Sequence, residues 1–314
     1  MPPQLVVICG PTATGKTRLG VALAKALGGE VVSADSMQVY RDMVIGTARP
    51  SEAEMEGVPH HMLAVADPAE NYSVARYVAE ATPIVDDILA RGKVPLIVGG
   101  TGLYIDALRR GQSFSAFRPE SGWRERLQAR VQTEGLPILY SELETVDPEA
   151  AARLHPNDEK RILRALEVWY ETGETISAHD RRTKALPPRY EAAVIALTYK
   201  DRSALYARID RRVDEMMDRG LAAEVKALLD RGVPRSCTAM QAIGYKELAP
   251  AILSGADLTA AADEIKLRSR QYAKRQLTWF RRDGSAHWIA LDDPPDFSAV
   301  LRDSTEYLRQ MGIG

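Results

Sequence analysis

Three observations predict an α/β fold built on a parallel sheet. An apolar pentapeptide, Leu5–Cys9, runs into a glycine-bounded turn and then into a helical pattern. Two more mainly apolar runs, Glu30–Ala34 and Val94–Val98, each end in a turn of polar or glycine residues. Helical stretches separate the runs, and strands alternating with helices pack as a parallel sheet with helices on both faces.

The first unit carries the clearest chemistry. Gly10-Pro11-Thr12-Ala13-Thr14-Gly15-Lys16-Thr17 fits G-x-x-x-x-G-K-[ST], a phosphate-cradling P-loop, so the expected core is P-loop NTPase-like. Leu19, Leu23, Ala26 and Leu27 fall on one helix face, and Gly28-Gly29 ends the helix. The glycines let backbone N–H groups from Gly10 to Gly15 turn inward, and the helix N-terminus adds partial positive charge. Lys16 supplies a full charge, and the Thr17 hydroxyl can hold Mg²⁺. This arrangement reads a di- or triphosphate, and nothing in it reads a base.

Asp35 closes the second strand, so Asp35-Ser36-Met37-Gln38 is expected at the crevice where parallel sheets bind ligands. Asp35 has three candidate roles: Mg²⁺ ligand, general base or helix cap. The Gln38 amide suits an adenine edge, although surface glutamine is the commoner case. The adjacent His60 and His61 lack chelating spacing and are read as structural. Ser73 is placed to cap a helix through Arg91, with Tyr77, Ala81, Ile84 and Ile88 along one side. The third strand runs into Gly99-Gly100-Thr101-Gly102, a second glycine-rich turn at the same end of the sheet. No strand here ends in the acidic pair that a motor-type ATPase uses to hold Mg²⁺ and activate water.

From Gly111 to about Tyr190 the βα rhythm stops, and the segment reads as a helical insertion. The expected division is a catalytic core of residues 1–112 and 190–314 and an insertion of 113–189. Gln112–Ser121 is loop-like. Helices are expected over Gly122–Thr133, over Pro137–Thr145 and from about Glu159. Asn157 or Asp158 caps the last of these. Ile162, Leu166, Trp169 and Tyr170 form its buried stripe, and Gly173 stops it. Lys160, Arg161 and Arg164 lie on its polar side, as a solvated face or as phosphate contacts.

The strand pattern resumes at Glu191–Leu197. The helix Ser203–Arg219 carries Arg208 and Arg212 one turn apart, available to a leaving diphosphate or to surface pairs with Asp210 and Asp214. Lys266–Arg282 holds Lys266, Arg268, Arg270, Lys274, Arg275, Arg281 and Arg282 with no acid, interleaved with Tyr272, Trp279 and Phe280. On a helix this makes a basic ridge beside an aromatic seam, a footprint for a polyanion. His287–Leu291 reads as a closing strand.

The whole chain sets outer bounds. Its 314 residues and 45% hydrophobic content suffice for a large core, or a core plus a smaller domain. A net charge of −2 gives no global attraction for nucleic acid, so any such binding comes from local patches. The two cysteines, Cys9 and Cys237, form no metal or disulfide pattern. No leader peptide fits before the first strand, and no apolar run reaches membrane length. The expectation is a cytosolic, soluble, monomeric protein.

Taken together, seven blocks resemble the tRNA dimethylallyltransferase family: residues 10–17, 33–50, 60–77, 99–104, 155–168, 241–247 and 270–282. Thr14 stands where that family more often has serine. The resemblance implies a P-loop core with a helical insertion, dependence on Mg²⁺, and transfer of a dimethylallyl group from dimethylallyl diphosphate. The acceptor would be N6 of adenosine 37 in the anticodon stem-loop of tRNAs reading codons that begin with U. It further implies that Thr12–Thr17 hold the diphosphate, that Asp35 is the general base, and that Asp35–Gln38 line the target adenosine. Thr101, Trp123 and Glu159, Lys160, Arg161, Ile162 and Leu163 would contact tRNA. The ridge residues Lys274 and Arg275 would bind its backbone. The alternative reading is a P-loop kinase of a nucleoside or other small molecule, which would not need the basic aromatic ridge.

Overall fold

The computed structural model describes residues 4–112 and 122–313. The chain forms two compact units, one comprising residues up to Gly111 and from Arg189 onward, the other Gln112–Pro188. The loop expected at Gln112–Ser121 lies, apart from Gln112, outside the described residues.

In chain order the first unit opens with β1 (Leu5–Cys9), α1 (Lys16–Leu27), β2 (Glu30–Ser33), α2 (Glu52–Met55), β3 (His60–His61), α3 (Val74–Ala90), β4 (Pro95–Val98) and α4 (Gly102–Arg110). The second unit holds α5 (Trp123–Glu134), α6 (Leu136–Val146), α7 (Pro148–Arg153), α8 (Glu159–Thr172) and α9 (Ile176–Ala185). The first unit then resumes with β5 (Ala192–Tyr199), α10 (Arg202–Asp218), α11 (Leu221–Asp230), α12 (Tyr245–Ser254), α13 (Thr259–Phe280), β6 (His287–Leu291) and α14 (Phe297–Gln310).

The six strands form one sheet in the order β3-β2-β4-β1-β5-β6, and every pairing is parallel. All residues of β1, β2 and β4 are buried, as strands covered on both faces require. Because β4 and β5 flank β1, the loops after β1, β2 and β4 open at one carboxyl edge, where sheets of this topology bind ligands.

Helix α1 buries Leu19, Gly20, Val21, Leu23 and Ala24, while Ala26 is exposed. Its apolar face is therefore displaced from the expected Leu19–Leu23–Ala26–Leu27 stripe, because the helix contacts both the sheet and α14. Gly28 ends it in a left-handed conformation, its N–H reaching the Ala24 carbonyl. Ser73 caps α3 by accepting the Arg76 N–H. Its buried side is Tyr77, Val78, Ala81, Val85 and Ile88, with Ile84 only partly covered. The two-residue strand β3 had no periodicity to reveal it.

The second unit has its own core, centred on Leu127, Leu139, Leu143, Ile162, Leu163 and Leu166. Asp158 caps α8 through the Arg161 N–H, and Gly173 ends it. Trp169 and Tyr170 sit at the margin of the buried stripe rather than within it. Among the described residues, no helix is long and apolar enough to cross a membrane.

Glu30 braces one end of the sheet. Its carboxylate is 3% exposed and accepts bonds from Arg91 (2.5 and 2.9 Å) and Lys93 (2.8 Å) and pairs with His61 Nε2 at 2.9 Å. The Arg91 guanidinium holds the carboxyl far below its ordinary value. A group depressed in this way stabilises the fold above its unfolded pKa and loses that contribution as pH falls. Glu30→Gln is expected to cost about 1–3 kcal/mol at neutral pH in urea melts. The gap between mutant and parent should narrow as pH drops below about 4.5, and a gap unchanged at pH 3 would refute the assignment.

Candidate active site

The strand–loop–helix that begins the chain builds an anion cradle. Gly10 adopts φ +133°, and a Cβ there would lie 2.3 Å from the Leu197 carbonyl oxygen of β5. Only glycine lets the loop leave β1 that close to its neighbour strand. Ala13 (φ 65°) and Gly15 (φ 81°) are left-handed, which turns successive N–H groups to one side. The Thr14 hydroxyl donates to the Pro11 carbonyl at 2.9 Å, and the Lys16 ammonium donates to the same oxygen at 2.7 Å.

The loop opens into a cavity of about 860 Å³ lined by Thr12, Ala13, Gly15, Lys16 and Thr17. Asp35, Ser36, Met37 and Gln38 line it after β2, and Gly99 and Gly100 line it after β4. Apolar residues, among them Val21, Val31, Val98, Ile209 and Ile265, complete the wall. Burial pushes the Lys16 ammonium down to about 8, Arg212 nearby pushes the same way, and Asp35 opposes them. Burial also lowers Arg212.

Asp35 Oδ1 accepts the Met37 N–H at 2.9 Å and the Gln38 N–H at 3.4 Å, the bonding of a turn-capping carboxylate. Oδ2 keeps its acceptor capacity, with no hydrogen-bond partner among the described residues. Thr101 does not line the cavity. Its hydroxyl accepts the Ser36 N–H at 3.0 Å and donates to Ser36 Oγ at 3.2 Å, holding the Asp35 loop from behind. The Gln38 amide is already committed: Oε1 accepts from Ser33 Oγ at 3.0 Å, and Nε2 reaches the Thr47 and Ala48 carbonyls at 3.3 Å each. It shapes the cavity wall from within its own loop.

The two arginines of α10 separate. Arg212 lines the cavity. Arg208 lies away from it, bonded to Asp293 at 3.2 Å and stacked over Tyr199. The basic ridge on α13 is smaller than its composition suggests. Lys266 pairs with Asp214 at 2.6 Å, Arg268 with Glu264 at 2.6 Å and Arg270 with Asp210 at 2.5 Å. Lys274, Arg275, Arg281 and Arg282 form no ion pair among the described residues, and Lys274, Arg281 and Arg282 are exposed. Arg275 also lines the cavity.

In the second unit Glu159, Lys160 and Arg161 are exposed, and Arg161 pairs with Asp158. Ile162 and Leu163 are 0% and 2% exposed, so their side chains are core and not contact surface. Arg164 is turned to the buried Glu167 at 3.0 Å, beside Arg124 at 2.6 Å, rather than to solvent. Trp123 stacks on Tyr170, with ring centroids 4.4 Å apart and Arg126 over its face.

Sequence reading missed several residues of the site. Gln276, Tyr272 and His60 all line the cavity. Gln276 carried one usable signal, a polar residue on the helix stripe that buries Ile265, Ala273 and Phe280. Glu224 on α11 accepts the N–H groups of Val44, Ile45 and Gly46 at 2.7 to 3.0 Å and the Tyr245 hydroxyl at 2.5 Å. It thereby pins the segment that follows the Asp35 loop. No pattern in the sequence connects residues so far apart.

An anion entering the cradle favours the charged form of Lys16. Binding should therefore take up protons near pH 8 and weaken as pH rises through that value. Calorimetry with inorganic pyrophosphate in buffers of differing ionisation enthalpy should show this uptake. Lys16→Met should abolish it and lower affinity by about tenfold or more.

Comparison with known proteins places these features in a lineage. The sequence model of the IPP transferase family matches residues 38–283, and that of the isopentenyl transferases matches residues 3–66. A tRNA dimethylallyltransferase of Geobacillus thermodenitrificans is 47% identical, covering 98% of this chain and 97% of its own. One of Caldanaerobacter subterraneus is 46% identical over 97% of each. Among solved structures, the full-length tRNA isopentenylpyrophosphate transferase of Bacillus halodurans superimposes with a TM-score of 0.72 at 42% identity, over 99% of this chain and 98% of that one. A eukaryotic dimethylallyltransferase acting on tRNA gives a TM-score of 0.77 at 31% identity, over 94% of this chain and 74% of that one. With its fold and nearly its whole length shared, this chain belongs to the IPP transferase family.

Proposed function

We propose that this protein transfers a dimethylallyl group from dimethylallyl diphosphate to N6 of adenosine 37 in tRNAs reading codons that begin with U. One observation carries the reading: a single cavity holds a diphosphate cradle, a carboxylate with an unbonded oxygen and apolar walls. In this reaction N6 attacks C1 of the prenyl group, the C1–O bond breaks and diphosphate departs with the bonding electrons. The proton lost from N6 passes to Asp35 Oδ2.

Lys16, Arg212 and the N–H groups of the loop stabilise the charge on the leaving diphosphate, and such preorganised electrostatics usually contribute most of the rate enhancement. The five prenyl carbons find apolar walls worth at most about 4 kcal/mol at ~0.8 kcal/mol per carbon. The adenine enters from an unpaired loop, where leaving the stack costs least. Lys274 and Arg275 hold backbone phosphates while the cavity selects the base.

Mg²⁺ fits this site as a companion of the diphosphate. The described residues contain no cluster of three or more His, Cys, Asp or Glu able to cage a metal. The Thr17 hydroxyl at the cavity wall is one donor, and Mg²⁺ commonly takes most of its ligands from phosphate oxygens and water. When bound there, the ion neutralises charge on the departing group.

Mass spectrometry of an anticodon stem-loop incubated with the protein, Mg²⁺ and dimethylallyl diphosphate should show the mass of one added prenyl group on one adenosine. An unmodified RNA would reject the reading. Asp35→Ala should slow transfer by about 10²–10⁴-fold while RNA affinity holds. Replacing Lys274 and Arg275 together should weaken RNA binding and flatten its dependence on salt, with a shallower log–log slope than the parent.

A further inference from the structure

The Thr12 N–H belongs to the anion cradle, yet in this structure it donates to a side chain from far along the chain. Gln276 Oε1 accepts it at 3.0 Å, while Gln276 Nε2 donates to the Gly100 carbonyl at 2.9 Å. Gln276 is 6% exposed, and both ends of its amide are satisfied. A primary amide presents an acceptor and a donor on one planar neutral group, and the glutamine stem lets both reach their partners here. The bridge extends to the carboxylate. Thr101, next to Gly100, holds the Ser36 N–H at 3.0 Å, and Ser36 follows Asp35.

We propose that Gln276 is a positioning residue: its amide clips the cradle at Thr12 to the Gly100 turn and so sets the leaving group's place relative to Asp35. The proposal deepens the prenyl-transfer reading and rests on it for the identity of the leaving group. The clip itself concerns the geometry of anion binding and is measurable without any transfer. Gly100 is the complement of the amide. A Cβ at that position would meet Gln276 Nε2 at 2.3 Å, and the next atoms, Gln276 Cδ and the Gly10 carbonyl oxygen, lie 3.5 and 3.8 Å away. Gly100→Ala therefore dislodges the amide while leaving its other neighbours at ordinary contact distance.

The test compares the full-length parent with Q276M, G100A and the double variant. It records the calorimetric Kd for inorganic pyrophosphate, the KM of dimethylallyl diphosphate and of stem-loop RNA, kcat and the melting temperature. Each single variant should raise the pyrophosphate Kd and the diphosphate KM about tenfold, because the bond lost is the one that holds the loop in its anion-binding shape. A freed Thr12 N–H that instead tightened binding would count against the clip. The RNA KM should stay within about twofold. The double variant should be no worse than Q276M alone, because both changes remove the same clip. Parental Kd and KM in Q276M, or additive effects in the double variant, would overturn the proposal. A lowered melting temperature with unchanged KM would reassign Gln276 to stability alone. If Q276M does not fold, G100A alone decides between these outcomes. A parent that binds pyrophosphate but transfers no prenyl group would sink the functional reading while the pyrophosphate arm still judges the clip.

Discussion

An imbalance of charge governs this cavity. Lys16 and Arg212 both line it; Asp35 opposes both, and Glu54, which also lines the cavity, and Glu215 act on Arg212 as well. Burial takes water from both cations, Arg212 also disfavours the charge on Lys16, and the neighbouring carboxylates offset this only in part. The fold carries this cost because β1, α1 and α10 are anchored elsewhere, in a sheet and helices whose core is fully buried. An arriving polyanion favours the charged form of both cations, so binding draws on the desolvation and repulsion built into the site.

The sheet supplies the rigidity this arrangement needs. Parallel pairing of β2, β4 and β1 brings the cradle, the Asp35 loop and the Gly99-Gly100 turn to one edge. Gly10 can leave β1 only by grazing β5 at Leu197, which fixes where the cradle starts. Glu224 fastens the far end of the loop after β2 by collecting three consecutive N–H groups. The reactive groups thus ride on loops tethered at both ends, as accurate placement demands.

The local features were legible in the chain because their causes are local. The phosphate loop, the Gly28 and Gly173 helix ends and the Ser73 and Asp158 caps each depend on residues within one turn. β6 likewise falls at His287–Leu291, where its apolar run announced it. What escaped depends on partners distant in sequence. Nothing near Arg208 or Arg212 says which one meets the cavity, since Asp293 decides it from across the fold. Nothing in Ser36–Gln38 shows that Ser33 and Thr47 occupy the glutamine amide. The ridge on α13 looked richer in free charge than it is, because its partners Asp210 and Asp214 belong to α10. Strand β3, two residues long, is created by its neighbour β2 rather than by its own composition.

The tether on Asp35 has a consequence beyond capping a turn. A mobile carboxylate beside two cations would collapse onto one of them and form a neutral pair, silencing proton acceptor and anion trap together. The Met37 N–H forbids that short circuit by anchoring one oxygen to its own loop. Opposite charges are kept apart at rest, like the plates of a capacitor, until a reactant is placed between them.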